Sequence, residues 1–160
     1  MFTTKNDLPE ATRVRVVALL NARLADCIDL ATQTKHAHWN VKGPHFIALH
    51  ELFDEIHEAV AGYVDDIAER AVQLGGVAEG TVRMVAARSS LSEYPAGAVD
   101  GRSHVERLSA ALAAFGGAVR AAIGQANAMG DLDTADLFTE VSRGIDKWLW
   151  FVEAHLQAAP

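Results

Sequence analysis

The sequence has a single cysteine, Cys27, in 160 residues. No disulfide can form within the chain, so packing must hold it together, which suits a reducing compartment such as a bacterial cytoplasm. Basic residues are outnumbered, 14 Lys and Arg against 21 Asp and Glu, for a formal net charge of −7. That balance argues against a general affinity for nucleic acid or anionic membrane and suits the collection of cations. No uninterrupted apolar run approaches the roughly 18–20 residues of a membrane span. The first residues, Met1 to Val16, are polar and charged, without the apolar segment of a secretory signal. Strand alternation of useful length, β-branched runs and internal repeats are all missing. So is Glu-x-x-His, the paired-ligand motif of di-iron helix bundles; Asp54-Glu-Ile-His57 and Glu153-Ala-His155 come nearest.

What is present reads as helix. At 17.2 kDa and half apolar, the chain is expected to be one domain over 1–160, with 1–8 a short N-terminal tail. Four segments carry apolar residues at steps of three and four. The first starts near Pro9, runs through Val17, Leu20, Leu24 and Ala31, and stops at Lys42-Gly43-Pro44. The second runs from about His45 to Gly75-Gly76 through Leu49, Phe53, Ile56, Val60, Ile67 and Leu74. The third holds Val105, Leu108, Leu112, Phe115 and Val119; the fourth holds Leu137, Val141, Ile145, Trp148, Val152 and Leu156. Abundant alanine agrees with this pattern. The stretch 76–101 is far longer than a tight helix–helix turn. An all-α, ferritin-like four-helix bundle is therefore expected, with a long crossover between helices 2 and 3 and room for a short helix within 88–94.

Chemistry concentrates at the start of the second helix. His36, His38, His45, His50 and His57 fall within about 22 residues, among many carboxylates. With His50 at zero on a helical wheel, Asp54 lies at about 40°, Asp65 at about 60° and Glu69 at about 100°, while the apolar residues centre near about −95°. These polar residues thus face away from the helix's own core. The pairs His50/Asp54 and Asp65/Glu69 are also separated by roughly 22 Å along the helix, too far to share an ion within one chain. Two antiparallel copies related by a two-fold axis near residues 59–60 bring the first pair of one chain to the second pair of the other, making two equal sites. The small residues Ala59, Ala61 and Gly62 let the backbones approach. The plainer alternative is a solvated polar face. His38, near the end of the first helix, is a further candidate ligand; its alternative is a histidine stabilised by the helix C-terminal dipole.

The stretch KHAHWNVKGPHFIALHELFDEIHEAVAGYVDDIAERAVQLGG, residues 35–76, closely resembles the defining segment of the Dps mini-ferritins (DNA-binding proteins from starved cells). DLDTADLFTEVSRGIDKWLWFVEAH, residues 131–155, is similar to that family's last helix, so the resemblance covers essentially the whole chain. It implies a dodecameric hollow shell that stores ferric mineral, with ferroxidase centres at its two-fold interfaces. Carried over by residue, it implies His38, His50 and Asp54 as iron ligands from one subunit and Asp65 and Glu69 from its partner. Trp39 matches the aromatic beside the centre, or serves as an interfacial packing residue. His36 and His45 are candidates for a secondary metal. The implied activity is oxidation of Fe(II), with hydrogen peroxide favoured over dioxygen, which protects DNA by withholding electrons from radical chemistry. Ligand histidines must be neutral to bind, so activity should fall as pH drops through the histidine range.

The resemblance also places Asp131, Asp133 and Asp136, with Asp146 nearby, at a three-fold pore for iron entry; helix capping is the alternative for Asp131 and Asp133. Strong direct DNA binding is not expected. Ahead of the first helix only Lys5 is basic, opposed by Asp7 and Glu10; Arg13 and Arg15 fall on the helix, and residues 156–160 carry no charge. A dodecamer would carry about −84, and phosphate neutralisation needs clustered cations. Two other classes stay open: a structural shell without oxidation, and a zinc or manganese buffer, since His/carboxylate ligation is not exclusive to iron.

Overall fold

In a computed structural model, which describes residues 1–157, the chain forms five α-helices: α1 (Glu10–Asn40), α2 (Phe46–Gln73), α3 (Val82–Arg88), α4 (Gly101–Ala128) and α5 (Leu132–Glu153). Residues 158–160 of the uncharged C-terminal stretch lie outside the described residues. The described residues contain no strand, only an isolated parallel bridge between Lys42 and Asp100. The all-α, ferritin-like architecture expected from periodicity is the one observed.

The four long helices pair as α1 on α2 and α4 on α5, with α1 also against α4. Between them lie Leu20, Leu24, Phe53, Phe115, Phe138 and Ile145, all without solvent exposure or nearly so. Each such side chain contributes about 1.5–3 kcal/mol. α4 is long and apolar enough to cross a membrane by length and composition alone. Its apolar positions Val105, Leu108, Leu112, Phe115 and Val119 are instead buried in the bundle, and Arg120 interrupts the run. α2 and α5 approach so closely that a Cβ on Gly144 would meet the Tyr63 hydroxyl, so a larger residue there requires the Tyr63 ring to move.

Two boundaries differ from the sequence expectation. The short crossover helix is Val82–Arg88, anchored by buried Val85, whereas residues beyond Arg88 form turns and coil. Ser89 and Ser90 explain the shift. Ser89 Oγ donates to Asp29 Oδ2 (2.5 Å), and the Ser90 amide and hydroxyl donate to Asp26 Oδ1 (2.7 and 3.0 Å), so α1 takes the groups a helix would need. At the other end, α5 stops at Glu153 and Leu156 lies in a turn.

Candidate metal centre

The short α1–α2 connection folds the end of α1 antiparallel to the start of α2, bringing His38 against His50. Their rings stack at 3.7 Å between centroids. His38 Nδ1 lies 2.8 Å from the backbone oxygen of His50, and His50 Nδ1 lies 2.9 Å from the backbone oxygen of His38. A carbonyl oxygen only accepts, so each Nδ1 carries the proton and donates it. In the neutral ring this tautomer leaves the Nε2 lone pair free, as a metal requires, and the backbone bonds fix the ring orientations as outer-sphere partners do at metal sites.

Asp54 sits one turn along α2, its Oδ1 3.9 Å from His38 Nδ1. The same oxygen takes an ion pair and hydrogen bond from Lys35 Nζ. The Lys35 hydrogen bond, aided by the nearby His38 and His57 rings, holds the Asp54 carboxyl below its ordinary range, so it is anionic at neutral pH. No cluster of three or more His, Cys, Asp or Glu side chains able to hold an ion forms within the chain, among the described residues. Asp65 and Glu69, farther along α2, are exposed. Imidazole and carboxylate are donor types that suit iron, and His38, His50 and Asp54 would hold it from this chain.

Lys35 was absent from the residues singled out in the sequence. The register shows where it belongs: α1 residues 38 and 35 lie opposite α2 residues 50 and 54. His57 repeats the pattern. Its Nδ1 donates to the backbone oxygen of Ala31 at 2.9 Å, seven residues along each helix from the His50–His38 bond. Trp39, beside His38, is 68% exposed, and Ile47 is 61% exposed on the neighbouring turn of α2. His45 is exposed at the α2 N-terminus. His36 faces the other way, its ring edge-on to Tyr94 at 5.3 Å; Tyr94 Oη in turn meets Nδ1 of the buried His104 at 2.7 Å.

The acidic start of α5 divides in two. Asp131 is the helix N-cap: it is 2% exposed and accepts from the Thr134 amide (3.0 Å) and hydroxyl (2.6 Å), while Arg70 Nη2 lies 2.8 Å from Oδ1. Its oxygens are committed within the chain. Asp133 and Asp136 are exposed and, with Asp66, Glu69 and Glu140, line a trough of about 330 Å³ between α2 and α5. Asp146 is exposed and takes both carboxylate oxygens to Arg120 Nη1 at 2.8 Å.

A helical bundle with a long crossover and a histidine–carboxylate face on the outer side of α2 defines a ferritin-like protein. Residues 17–160 match the model of the ferritin-like domain family. The chain is 46% identical over 154 residues to the DNA protection during starvation protein of Agrobacterium fabrum, covering 96% of this chain and 95% of that one. It superposes on the Mycobacterium smegmatis Dps with a TM-score of 0.94 at 31% identity, covering 99% and 96% of the two chains. It superposes on the Dps of Vibrio cholerae O1, described as a member of a broad superfamily of ferritin-like diiron-carboxylate proteins, with a TM-score of 0.91 at 25% identity and 98% of each chain. The chain belongs to the Dps mini-ferritins of the ferritin-like family.

Proposed function

We propose that the protein stores and detoxifies iron by oxidising Fe(II) at centres completed between two subunits of a dodecameric cytoplasmic shell, and so protects DNA. Family membership and the name of the Agrobacterium fabrum relative support the iron-storage and DNA-protection part of this reading. The observation that carries the site is the reciprocal bonding of His38 and His50, which presents two bare Nε2 atoms beside the Asp54 carboxylate. Asp65 and Glu69 of the partner subunit complete the ligand set under the two-fold register, and the exposed face around Trp39 and Ile47 supplies apolar surface for that interface. Iron is the native substrate; zinc or another divalent metal is a substitute for the same donors.

The reaction takes one electron from each of two Fe(II) ions. Hydrogen peroxide receives the pair, its O–O bond breaks, and two protons complete two waters, leaving two Fe(III) and no hydroxyl radical. The carboxylates stabilise the rising charge. The exposed Asp133 and Asp136 attract cations into the trough that Glu69 also lines.

The test is stopped-flow Fe(II) oxidation by peroxide, and separately by oxygen, on protein of measured assembly size. His50→Ala and Asp65→Ala should each lose fast oxidation. Subunits of the two variants, dissociated and reassembled together, should recover part of it in mixed dimers. Oxidation as fast as the parent in both variants would refute the assignment.

A further inference from the structure

Resting on the proposed iron oxidation, we propose that Tyr94 is a redox-active tyrosine with His104 as its proton acceptor. Tyr94 lends the second electron when hydrogen peroxide reaches a centre that holds a single Fe(II).

A phenol that loses an electron becomes a strong acid, so a buried tyrosine is oxidised easily only where a base stands on its hydroxyl. Tyr94 has one. Its Oη lies 2.7 Å from Nδ1 of His104, a completely buried ring that burial keeps neutral. The two rings stack at 5.9 Å between centroids, so the proton crosses an existing hydrogen bond and no group has to travel. Burial also keeps the phenol protonated at rest. Once His104 is charged, the backbone oxygens of Asn40 and Ala98 and the Asp100 carboxylate favour the charged ring. His104 Nε2 is buried without a hydrogen-bond partner, an unsatisfied atom that a purely structural clamp on the crossover would not need.

The other tyrosine lacks this arrangement. Tyr63 is half-buried with its hydroxyl against Gly144, and the charged groups near it are the carboxylates of Asp66 and Glu140, with no imidazole among them. Packing also links Tyr94 to both helices that carry His38, His50 and Asp54. On α1 its ring meets the edge of His36 at 5.3 Å, two residues before His38. On α2 the fully buried Phe53, the neighbour of Asp54, lies 6.4 Å from the His104 ring. An electron therefore crosses packed side chains rather than water.

Hydrogen peroxide takes one electron from Fe(II) and one from Tyr94. Its O–O bond breaks and two solvent protons complete two waters, leaving Fe(III), a Tyr94 phenoxyl radical and a His104 imidazolium. The next Fe(II) to arrive gives its electron to the radical, and the proton returns from His104 Nδ1 to Tyr94 Oη. The sum is the two-iron reaction, so an ion that arrives alone releases no hydroxyl radical.

Freeze-quench electron paramagnetic resonance tests this on the assembled protein, loaded with Fe(II) below one ion per centre and mixed with excess peroxide. The parent should show a tyrosyl radical that narrows when the tyrosines carry ring deuterium and disappears when more Fe(II) is added. Tyr63→Phe should keep the signal, which assigns it to Tyr94 in a chain of two tyrosines without altering Tyr94 itself. Tyr94→Phe should lose it and release hydroxyl radical to a spin trap. His104→Gln keeps an acceptor for the phenol but no base. It should slow radical formation by about 100-fold or more, the low end of what a positioned base contributes. No tyrosyl signal in the parent, a signal that Tyr63→Phe removes, or one that forms as fast in His104→Gln overturns the inference. Fast Fe(II) oxidation lost in His50→Ala would then leave the proposed function standing, whereas fast oxidation kept in both His50→Ala and Asp65→Ala would remove that reading itself.

Discussion

His38 and His50 hold each other through their main chains: each ring donates from Nδ1 to the other residue's carbonyl oxygen, at 2.8 and 2.9 Å. The bond survives truncation of the opposite side chain, because the carbonyl remains, but the ring stacking does not. His38→Ala and His50→Ala should therefore each lower affinity for the first ion by about 10- to 100-fold or more. The double variant should fall short of the product of the two losses, since each ring supports the other. Anaerobic Fe(II) calorimetry measures all three. Full additivity would show the two rings to be independent.

Lys35 is the resident cation of Asp54 when no metal is bound. Replacing it with methionine keeps the aliphatic stem and removes the charge, so entering iron no longer competes with an ammonium. Lys35→Met should bind Fe(II) more tightly than the parent, with the gain largest at low salt, where the competing charge is least screened. The Asp54 carboxyl, held down chiefly by the Lys35 hydrogen bond, should titrate closer to its ordinary range in the variant. Its contribution to stability is present above the ordinary carboxylate pKa and lost as pH falls through the depressed folded value. The iron effect at neutral pH is therefore not a protonation effect. Weaker Fe(II) binding in Lys35→Met would instead make the ammonium a supporting group for the carboxylate.

His104 is completely buried, and burial, reinforced by nearby His36, pushes its pKa below the ordinary histidine value. The neutral ring accepts the Tyr94 hydroxyl proton at Nδ1, while burial raises the Tyr94 pKa and keeps the phenol protonated. Above about pH 6.5 neither the folded nor the unfolded residue carries the proton. Below it the unfolded chain takes one up before the folded chain does, so stability falls as pH drops from about 6.5 toward the folded value. The drop in urea midpoint between pH 8 and pH 5.5 should be smaller in His104→Gln than in the parent. Tyr94→Phe should cost about 1 kcal/mol at pH 8, the net worth of one hydrogen bond.

Much of this was legible in the sequence because it depends on period. The apolar steps of α2 set its buried side, and the same period sent His50, Asp54, Asp65 and Glu69 to the other face. What the sequence left open depends on distance between helices. Nothing in the order of residues says that Lys35 reaches Asp54 or that Nδ1 of His57 finds the Ala31 carbonyl; both need the antiparallel register of α1 on α2. The crossover helix was misplaced by a few residues for the same reason. Ser89 and Ser90 are tied to Asp29 and Asp26, some 60 residues earlier, and local propensity does not see them.

The tail bears on DNA. Of the basic residues near the N-terminus, Arg13 is buried at 8% exposure and donates Nε to the Leu8 carbonyl (3.1 Å) and Nη1 to the Leu74 carbonyl (2.9 Å). The Phe2 amide bonds to the Gly75 carbonyl at 2.7 Å, which ties the tail to the end of α2. The guanidinium that a phosphate would need is thus engaged in capping a helix, and exposed Lys5 and Arg15 stand among Asp7 and Glu10. Electrostatic binding to DNA scales with the number of phosphates neutralised and weakens steeply with salt. In a gel shift without divalent metal, the assembled protein should not retard duplex DNA at moderate salt. Adding three or four lysines ahead of Met1 should create a shift that disappears as salt is raised. A parent shift that persists at moderate salt would place a cationic surface elsewhere on the shell, and Arg13→Gln would then leave it unchanged.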